Sequence, residues 1–196
     1  MMSDNSALVS IVVGNPKAGS RTLDAATALA DALSRSVWGK AGNGDAGRPR
    51  REVIDLATIA DGLLAPWRLS PAGSAAAQAA QSSALLILAT PTYKASFTGL
   101  LKLFLDVFPA GSLSRTVVVP LVTAGGEAHR YLADIHLRPV LSELGAVVPA
   151  PSLLLTEPEI DGSVDAAAAH TLRHGALIAS AVSALATSTN LTEQRG

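Results

Sequence analysis

An apolar, β-branched run (Val9, Ile11, Val12 and Val13) stops at Gly14, and a helical pattern starts at Thr22. Between them lies only a short stretch of small and polar residues, Asn15-Pro16-Lys17-Ala18-Gly19-Ser20-Arg21. A strand joined so directly to a helix restricts the chain to folds in which helices cover a largely parallel sheet. The junction also has a chemistry. A helix N-terminus presents unpaired N–H groups and the positive end of the helix dipole, so it attracts a phosphate. Ser20 and Thr22 add hydroxyl donors there, and Lys17 and Arg21 add positive charge. An ordinary turn with a Ser or Thr cap explains the same residues, so the loop by itself leaves both readings open.

The alternation continues along the chain. Thr22–Val37 places Leu23, Ala26, Ala30, Leu33 and Val37 at helical spacing, Glu52–Leu56 reads as a second strand, and Gly73–Ser82 as a short Ala-rich helix. Gly39–Arg50 is Gly-rich and charged and reads as a surface loop; Ala57–Pro71, with Trp67 near its end, reads as irregular. Ser83–Ala89 is the most apolar run and predicts a central strand buried on both faces. Phe97–Phe108 carries a helical stripe of Leu100, Leu101, Phe104, Leu105 and Phe108. Thr116–Val122 predicts a fourth strand and Glu127–Leu144 a fourth helix, which Pro139 should kink. Ala146–Leu155 predicts a fifth strand, broken by Pro149 and Pro151 as an edge strand tolerates. Ala166–Ala186 predicts the last helix. The expectation is one α/β domain over residues 1–196 with loose tails at 1–6 and 188–196. It is a doubly wound three-layer sandwich, a five-stranded parallel sheet with helices on both faces, of flavodoxin-like size.

Composition narrows the function classes. A formal net charge of −1 gives no electrostatic case for nucleic acid or an anionic membrane, and it speaks against an acidic carrier that docks by charge. The absence of cysteine excludes disulfides, thiolate catalysis and zinc–sulfur sites. No apolar run reaches the roughly 18 residues of a membrane span, and the N-terminus lacks a signal-peptide pattern, so a cytoplasmic protein is expected. His170 and His174 have metal-capable spacing but no supporting ligands, and His129 and His136 share a face of the expected fourth helix.

In a parallel sheet the loops that follow the strands meet at one edge, and three here are unusual. In the first, Gly14 and Gly19 have triphosphate-loop separation, but Ser20-Arg21 stands where Lys-Ser/Thr is required, and Asn15-Pro16 breaks a GxGxxG pattern. A monophosphate cradle fits better. In the second, Thr90–Gly99, Pro91 stiffens a backbone that can present a fixed donor and acceptor edge to a flat ring such as a flavin. In the third, Thr123–His129, Gly125 and Gly126 let backbone approach a ligand closely, while Glu127 sits where a helix start favours a carboxylate. No catalytic dyad or triad is evident.

These segments resemble the NAD(P)H-dependent FMN reductases, flavodoxin-like flavoproteins, and among them the small reductases that serve flavin-dependent alkanesulfonate monooxygenases. The similarity runs from about Leu8 to Leu155 and is most specific in ATPTYKASFTGLLKLFLDVFP, Ala89–Pro109. GNPKAGSRT resembles the family's phosphate loop, with Asn15 and Lys17 where the family usually has Ser and Arg; TAGGEAH and RPVLSELGA resemble its third loop and fourth helix. The resemblance implies that Ser20, Arg21 and Thr22, beside Gly14 and Lys17, hold the FMN phosphate. It implies that Pro91, Thr92, Tyr93, Lys94, Ala95 and Ser96 line the isoalloxazine, and that Thr123, Gly125 and Gly126 close its other edge. It further implies hydride transfer from NADPH or NADH to FMN with no general acid or base. A partner monooxygenase and a homodimer or homotetramer also follow from it. A quinone or azo reductase with tightly bound FMN, and a non-enzymatic flavodoxin-like carrier, are the rival readings. Arg21, Arg51, Arg68, Arg115 and Arg130 are candidates for a contact with an NADPH 2′-phosphate.

Overall fold

A computed structural model describes residues 7–39, 49–65 and 68–193. Five strands, β1 (Leu8–Val13), β2 (Arg50–Asp55), β3 (Leu85–Pro91), β4 (Val117–Ala124) and β5 (Leu153–Thr156), pair in the order β2-β1-β3-β4-β5, all parallel. The helices are α1 (Arg21–Trp38), α2 (Pro71–Gln81), α3 (Gly99–Leu105), α4 (Leu132–Glu143) and α5 (Ser163–Glu193). This is the flavodoxin-like doubly wound order, with the topological switch between β1 and β3.

Strand pleating sorts the core into two layers. Val9, Ile11 and Val13 of β1, with Leu85, Ile87, Ala89, Val117, Val119 and Leu121, pack against α1 and α5. Leu8, Val12, Leu86, Leu88 and Val118 face α2, α3 and α4. The central strand is β3, every residue of it buried, as its unbroken apolar run predicts. The one polar residue of β1, Ser10, is accommodated by Ser83, whose Oγ donates to the Ala79 carbonyl at 2.7 Å and lies 2.7 Å from the Ser10 hydroxyl, from which it accepts. Phe104 and Phe108 pack edge to face at 5.1 Å, and both are buried in the core.

Several element ends differ from the sequence expectation, each for a local reason. Helix α2 starts at Pro71 because Ser70 Oγ accepts the Gly73 N–H at 3.0 Å and proline suits the first helical position. Helix α3 is shorter than Phe97–Phe108 because Thr98 caps it, although Phe97 still packs on the same core. The expected helix Glu127–Leu144 is two pieces, a 3-10 turn over Glu127–His129 and then α4. The tighter turn eclipses residues three apart and stacks Glu127 on Arg130, so His129 leaves the helix and no longer shares a face with His136. Pro139 lies inside α4, which continues through it.

The fifth strand shrinks to four residues plus a single bridge between Val147 and Val117. Pro149 and Pro151 have no N–H to donate, and neither has Pro120 of β4 opposite; pairing with β4 resumes only at Leu121. Helix α5 continues to Glu193, into the tail expected to be loose at 188–196, and Thr187 Oγ1 donates to the Ser183 carbonyl at 3.0 Å. The expected loop Gly39–Arg50 lies largely, and Trp67, residues 1–6 and residues 194–196 lie wholly, outside the described residues. Among the described residues no helix is long and apolar enough to cross a membrane.

Candidate functional site

The loops after the strands meet in a cleft of about 400 Å³ at the carboxyl edge of the sheet, a volume typical of small-molecule sites. The first loop is shaped by its own side chains. Lys17 N–H donates to Asn15 Oδ1 at 2.9 Å, and Asn15 Nδ2 donates to Thr22 Oγ1 at 3.2 Å. Thr22 Oγ1 lies 3.1 Å from Thr123 Oγ1, which joins the first loop to the third. Gly19 adopts φ +61°, a conformation that favours glycine, and its N–H donates to Asp55 Oδ2 at the end of β2 at 2.9 Å. Ser20 is the N-cap of α1, yet its hydroxyl does not cap the helix. The residue is 4% exposed and lines the cleft, and its hydroxyl, buried, has no hydrogen-bond partner among the described residues.

Gly14 has a packing role of its own. A Cβ there would stand 2.6 Å from Leu101 Cβ, so glycine is required for α3 to approach. Its N–H donates to the Ala89 carbonyl at 2.8 Å, and it is not among the residues that line the cleft.

In the second loop Pro91, Thr92 and Tyr93 line the cleft, and Thr92 N–H donates to the Thr123 carbonyl at 2.7 Å. Tyr93 and Ser96 exchange both backbone hydrogen bonds, at 2.8 and 3.0 Å, across Lys94 (φ 49°) and Ala95 (φ 63°). That is a two-residue turn with both central residues left-handed, normally an Asn-Gly sequence. Lys94, Ala95 and Ser96 thus fold the tip of the loop and do not line the cleft. In the third loop Thr123, Ala124 and Gly125 line it; a Cβ on Gly125 or Gly126 would meet nothing within 4 Å. The protein's own packing therefore does not require glycine there.

A fourth wall, Glu157 and Ile160, comes from the 3-10 segment Glu157–Gly162 after β5. Thr156 N–H and Oγ1 both donate to Glu159 Oε2, at 2.7 and 2.9 Å. Arg130, 17% exposed, clamps this segment to the third loop. It bonds Glu127 (Nε to Oε2, 2.8 Å), Glu159 (Nη2 to Oε1, 3.0 Å) and the Leu154 carbonyl (Nη1, 2.9 Å). The Arg130 and Thr156 hydrogen bonds hold the Glu159 carboxyl down at about 2, and the two carboxylates raise the Arg130 guanidinium above its already high value. Sequence reasoning missed Asp55, Ala124, Glu157, Ile160 and this clamp. Thr156-x-x-Glu159 is a readable capping signature that marked the fourth wall.

The family profile described as NADPH-dependent FMN reductase matches residues 7–158. The chain belongs to the NADPH-dependent FMN reductase family. An FMN reductase (NADPH) of Pseudomonas putida is 49% identical over 61 residues, 31% of this chain and 31% of that protein. Its matched stretch thus spans about a third of that relative's length. An NADH-dependent FMN reductase SfnF of Pseudomonas putida is 31% identical over 140 residues, 70% of this chain and 72% of that one. The apo structure of an NADH:FMN oxidoreductase (EMOB) superposes with TM-score 0.66 at 28% identity, over 93% of this chain and 90% of that one.

The donor set suits the FMN such a family implies. Ser20 supplies a buried, unspent hydroxyl at a helix N-terminus, with Lys17 and Arg21 beside it, while Gly125 and Gly126 leave room for a ring. The candidate arginines divide. Arg21 lines the cleft, Arg51 pairs with Asp31, Arg130 is the clamp, and Arg115 borders a separate cavity with Ala7 and Arg50 at the opposite, amino edge. Away from the cleft, His170 is buried with Nε2 donating to the Pro151 carbonyl at 2.8 Å, and its ring stands 4.9 Å from that of His174. Among the described residues no group of three His, Asp or Glu side chains is placed to hold a metal ion.

Proposed function

We propose that this protein is an NAD(P)H-dependent FMN reductase that supplies reduced flavin to a partner monooxygenase. The observation that carries the reading is the Ser20 hydroxyl at the start of α1, buried and unpartnered in a residue that lines the cleft. A buried hydroxyl left without a partner costs about 1–3 kcal/mol, which a phosphate oxygen would recover. FMN, when bound, supplies the hydride acceptor. Ser20, Thr22 and Lys17 bind its phosphate. Pro91, Thr92 and Tyr93 orient one edge of the ring, and Thr123, Gly125 and Gly126 the other. Lys94, Ala95 and Ser96 act by fixing the tip of the ring loop. No side chain in the cleft is needed to move a proton.

The whole chain acts as one domain, in the cytoplasm, as a homodimer or homotetramer. Tyr131 and Ile135, exposed at 58% and 57% on and beside α4, favour self-association. Thermal shift with FMN, FAD and riboflavin tests the site. At a hundredfold excess over Kd, FMN should stabilise by about 2.7 kcal/mol and raise the melting temperature by several degrees. Riboflavin should do less. Equal responses would remove the phosphate cradle from the mechanism. NADPH and NADH oxidation with excess free FMN then tests the activity: rates that rise with free FMN fit a flavin reductase, and rates indifferent to it fit a quinone or azo reductase.

A further inference from the structure

The cleft's second cation is already engaged. Arg21 Nη2 lies 2.6 Å from Glu157 Oε1, and Nη1 lies 3.8 Å from Asp161 Oδ1. Arg21 and Glu157 both line the cleft, and they come from different elements, the start of α1 and the segment after β5. A guanidinium prefers two-pronged contact with one oxyanion, so a carboxylate and a phosphate compete for it. Glu157 also puts negative charge into a cleft whose other lining charges are Lys17 and Arg21.

We propose that Glu157, by holding Arg21, sets the affinity for the FMN phosphate and keeps it low, so that the flavin exchanges freely. This rests on FMN being the ligand of the cleft. Arriving phosphate must take Arg21 from Glu157 or share it, and in either case it meets the Glu157 carboxylate that lines the same cleft. Asp161 adds a weaker field at longer range. What remains to bind the phosphate without displacing an acidic side chain from Arg21 is the Ser20 hydroxyl, which has no partner among the described residues, with Lys17 and, at the expense of its bonds to Asn15 and Thr123, the Thr22 hydroxyl. Both partners of the pair are more than half exposed, at 51% and 59%, so the contest is modest and reversible. That suits a ligand that comes and goes.

The test is Glu157→Gln, which keeps the shape and removes the charge. FMN and riboflavin affinities are measured by quenching of flavin fluorescence, on wild type, on Glu157→Gln and on Asp161→Asn. The ratio of the two affinities isolates the phosphate and cancels any general loosening of the fold. The expected result is a ratio about fivefold higher in Glu157→Gln, a smaller rise in Asp161→Asn, and riboflavin affinity unchanged. Arg21→Ala should then lower the ratio more in the Glu157→Gln background than in wild type, because only there is the guanidinium free. A ratio that stays level or falls in Glu157→Gln overturns the proposal and makes Glu157 a support for Arg21. Failure of the FMN reading is distinct: wild type itself would then bind FMN no better than riboflavin.

Discussion

Thr98 is the residue on which the geometry beneath the cleft depends most, and replacing it by valine gives a sharp test. Its hydroxyl donates to the Gly14 carbonyl at 2.5 Å and accepts the Leu101 N–H at 3.1 Å, so one oxygen ties the end of β1 to the start of α3. Thr98 is 2% exposed, and water cannot replace either bond. Valine has the same shape and leaves no cavity. The loss then consists of a helix cap, about 1 kcal/mol, and a stranded buried carbonyl, about 1–3 kcal/mol. Together they predict a loss of about 3 kcal/mol. For a chain of this size that lowers the melting temperature by about 6–12 °C. Urea unfolding of wild type, Thr98→Val and Thr98→Ser measures it, provided the three share one m-value. Thr98→Ser keeps both bonds and loses only a methyl, about 1 kcal/mol. If valine costs no more than serine, the hydroxyl is not the tie described, and Gly14 is held by packing alone.

Four other outcomes are expected. Gly14→Ala should destabilise by about 1–3 kcal/mol in urea, because its Cβ overlaps Leu101 Cβ; a neutral result would show that α3 shifts freely. Lys94→Gly should stabilise by about 0.5–1 kcal/mol, since relief of a left-handed L residue outweighs the added chain entropy, and chemical denaturation reads the sign. Burial lowers the His170 imidazole pKa, with His174 and Arg173 adding to the shift. The unfolded chain therefore binds the extra proton first, so stability is full above about pH 6.5 and falls as the pH drops below it; His170→Gln should flatten that slope in melting curves from pH 7.5 to 5. In Arg130→Met the Glu159 carboxyl should titrate upward from about 2 toward its ordinary range, as followed by carbon NMR; an unmoved value would leave the Thr156 bonds as its cause.

The strand–helix alternation made the sheet legible, because strands buried on both faces read as apolar runs: Leu85–Ala89 is unbroken and Val9–Val13 is interrupted only by Ser10, and neither needed tertiary information. Element ends were harder. Whether Thr98 or Phe97 opens α3 depends on a hydroxyl reaching Gly14, far away in sequence. The split between Glu127–His129 and α4 depends on Arg130 meeting Glu159, which no local pattern contains. Most of the cleft lining lay in the loops that the parallel sheet places together, and there Ser20, Thr22, Pro91 and Thr123 could be named in advance. A glycine after a strand serves a close helix and a close phosphate equally well, so the sequence could not reveal that Gly14 makes room for Leu101. Glu157 escaped because the segment beyond Leu155 has no glycine pair, only a helix-capping pattern that does not by itself imply a ligand.

The run of hydrogen bonds from Lys17 N–H through Asn15 and Thr22 to Thr123 makes energetic contributions at this edge inseparable. Thr22 Oγ1 takes part in two of its bonds, so deleting that hydroxyl releases both neighbours, and a later change at Asn15 or Thr123 finds little left to break. Losses from single substitutions along the run will exceed the loss from removing all of it, and ranking these residues by alanine effects would count the same interaction several times. A lineage altering its flavin affinity through this run must change several residues together. One altering it through Glu157, which stands outside the run, can do so one residue at a time.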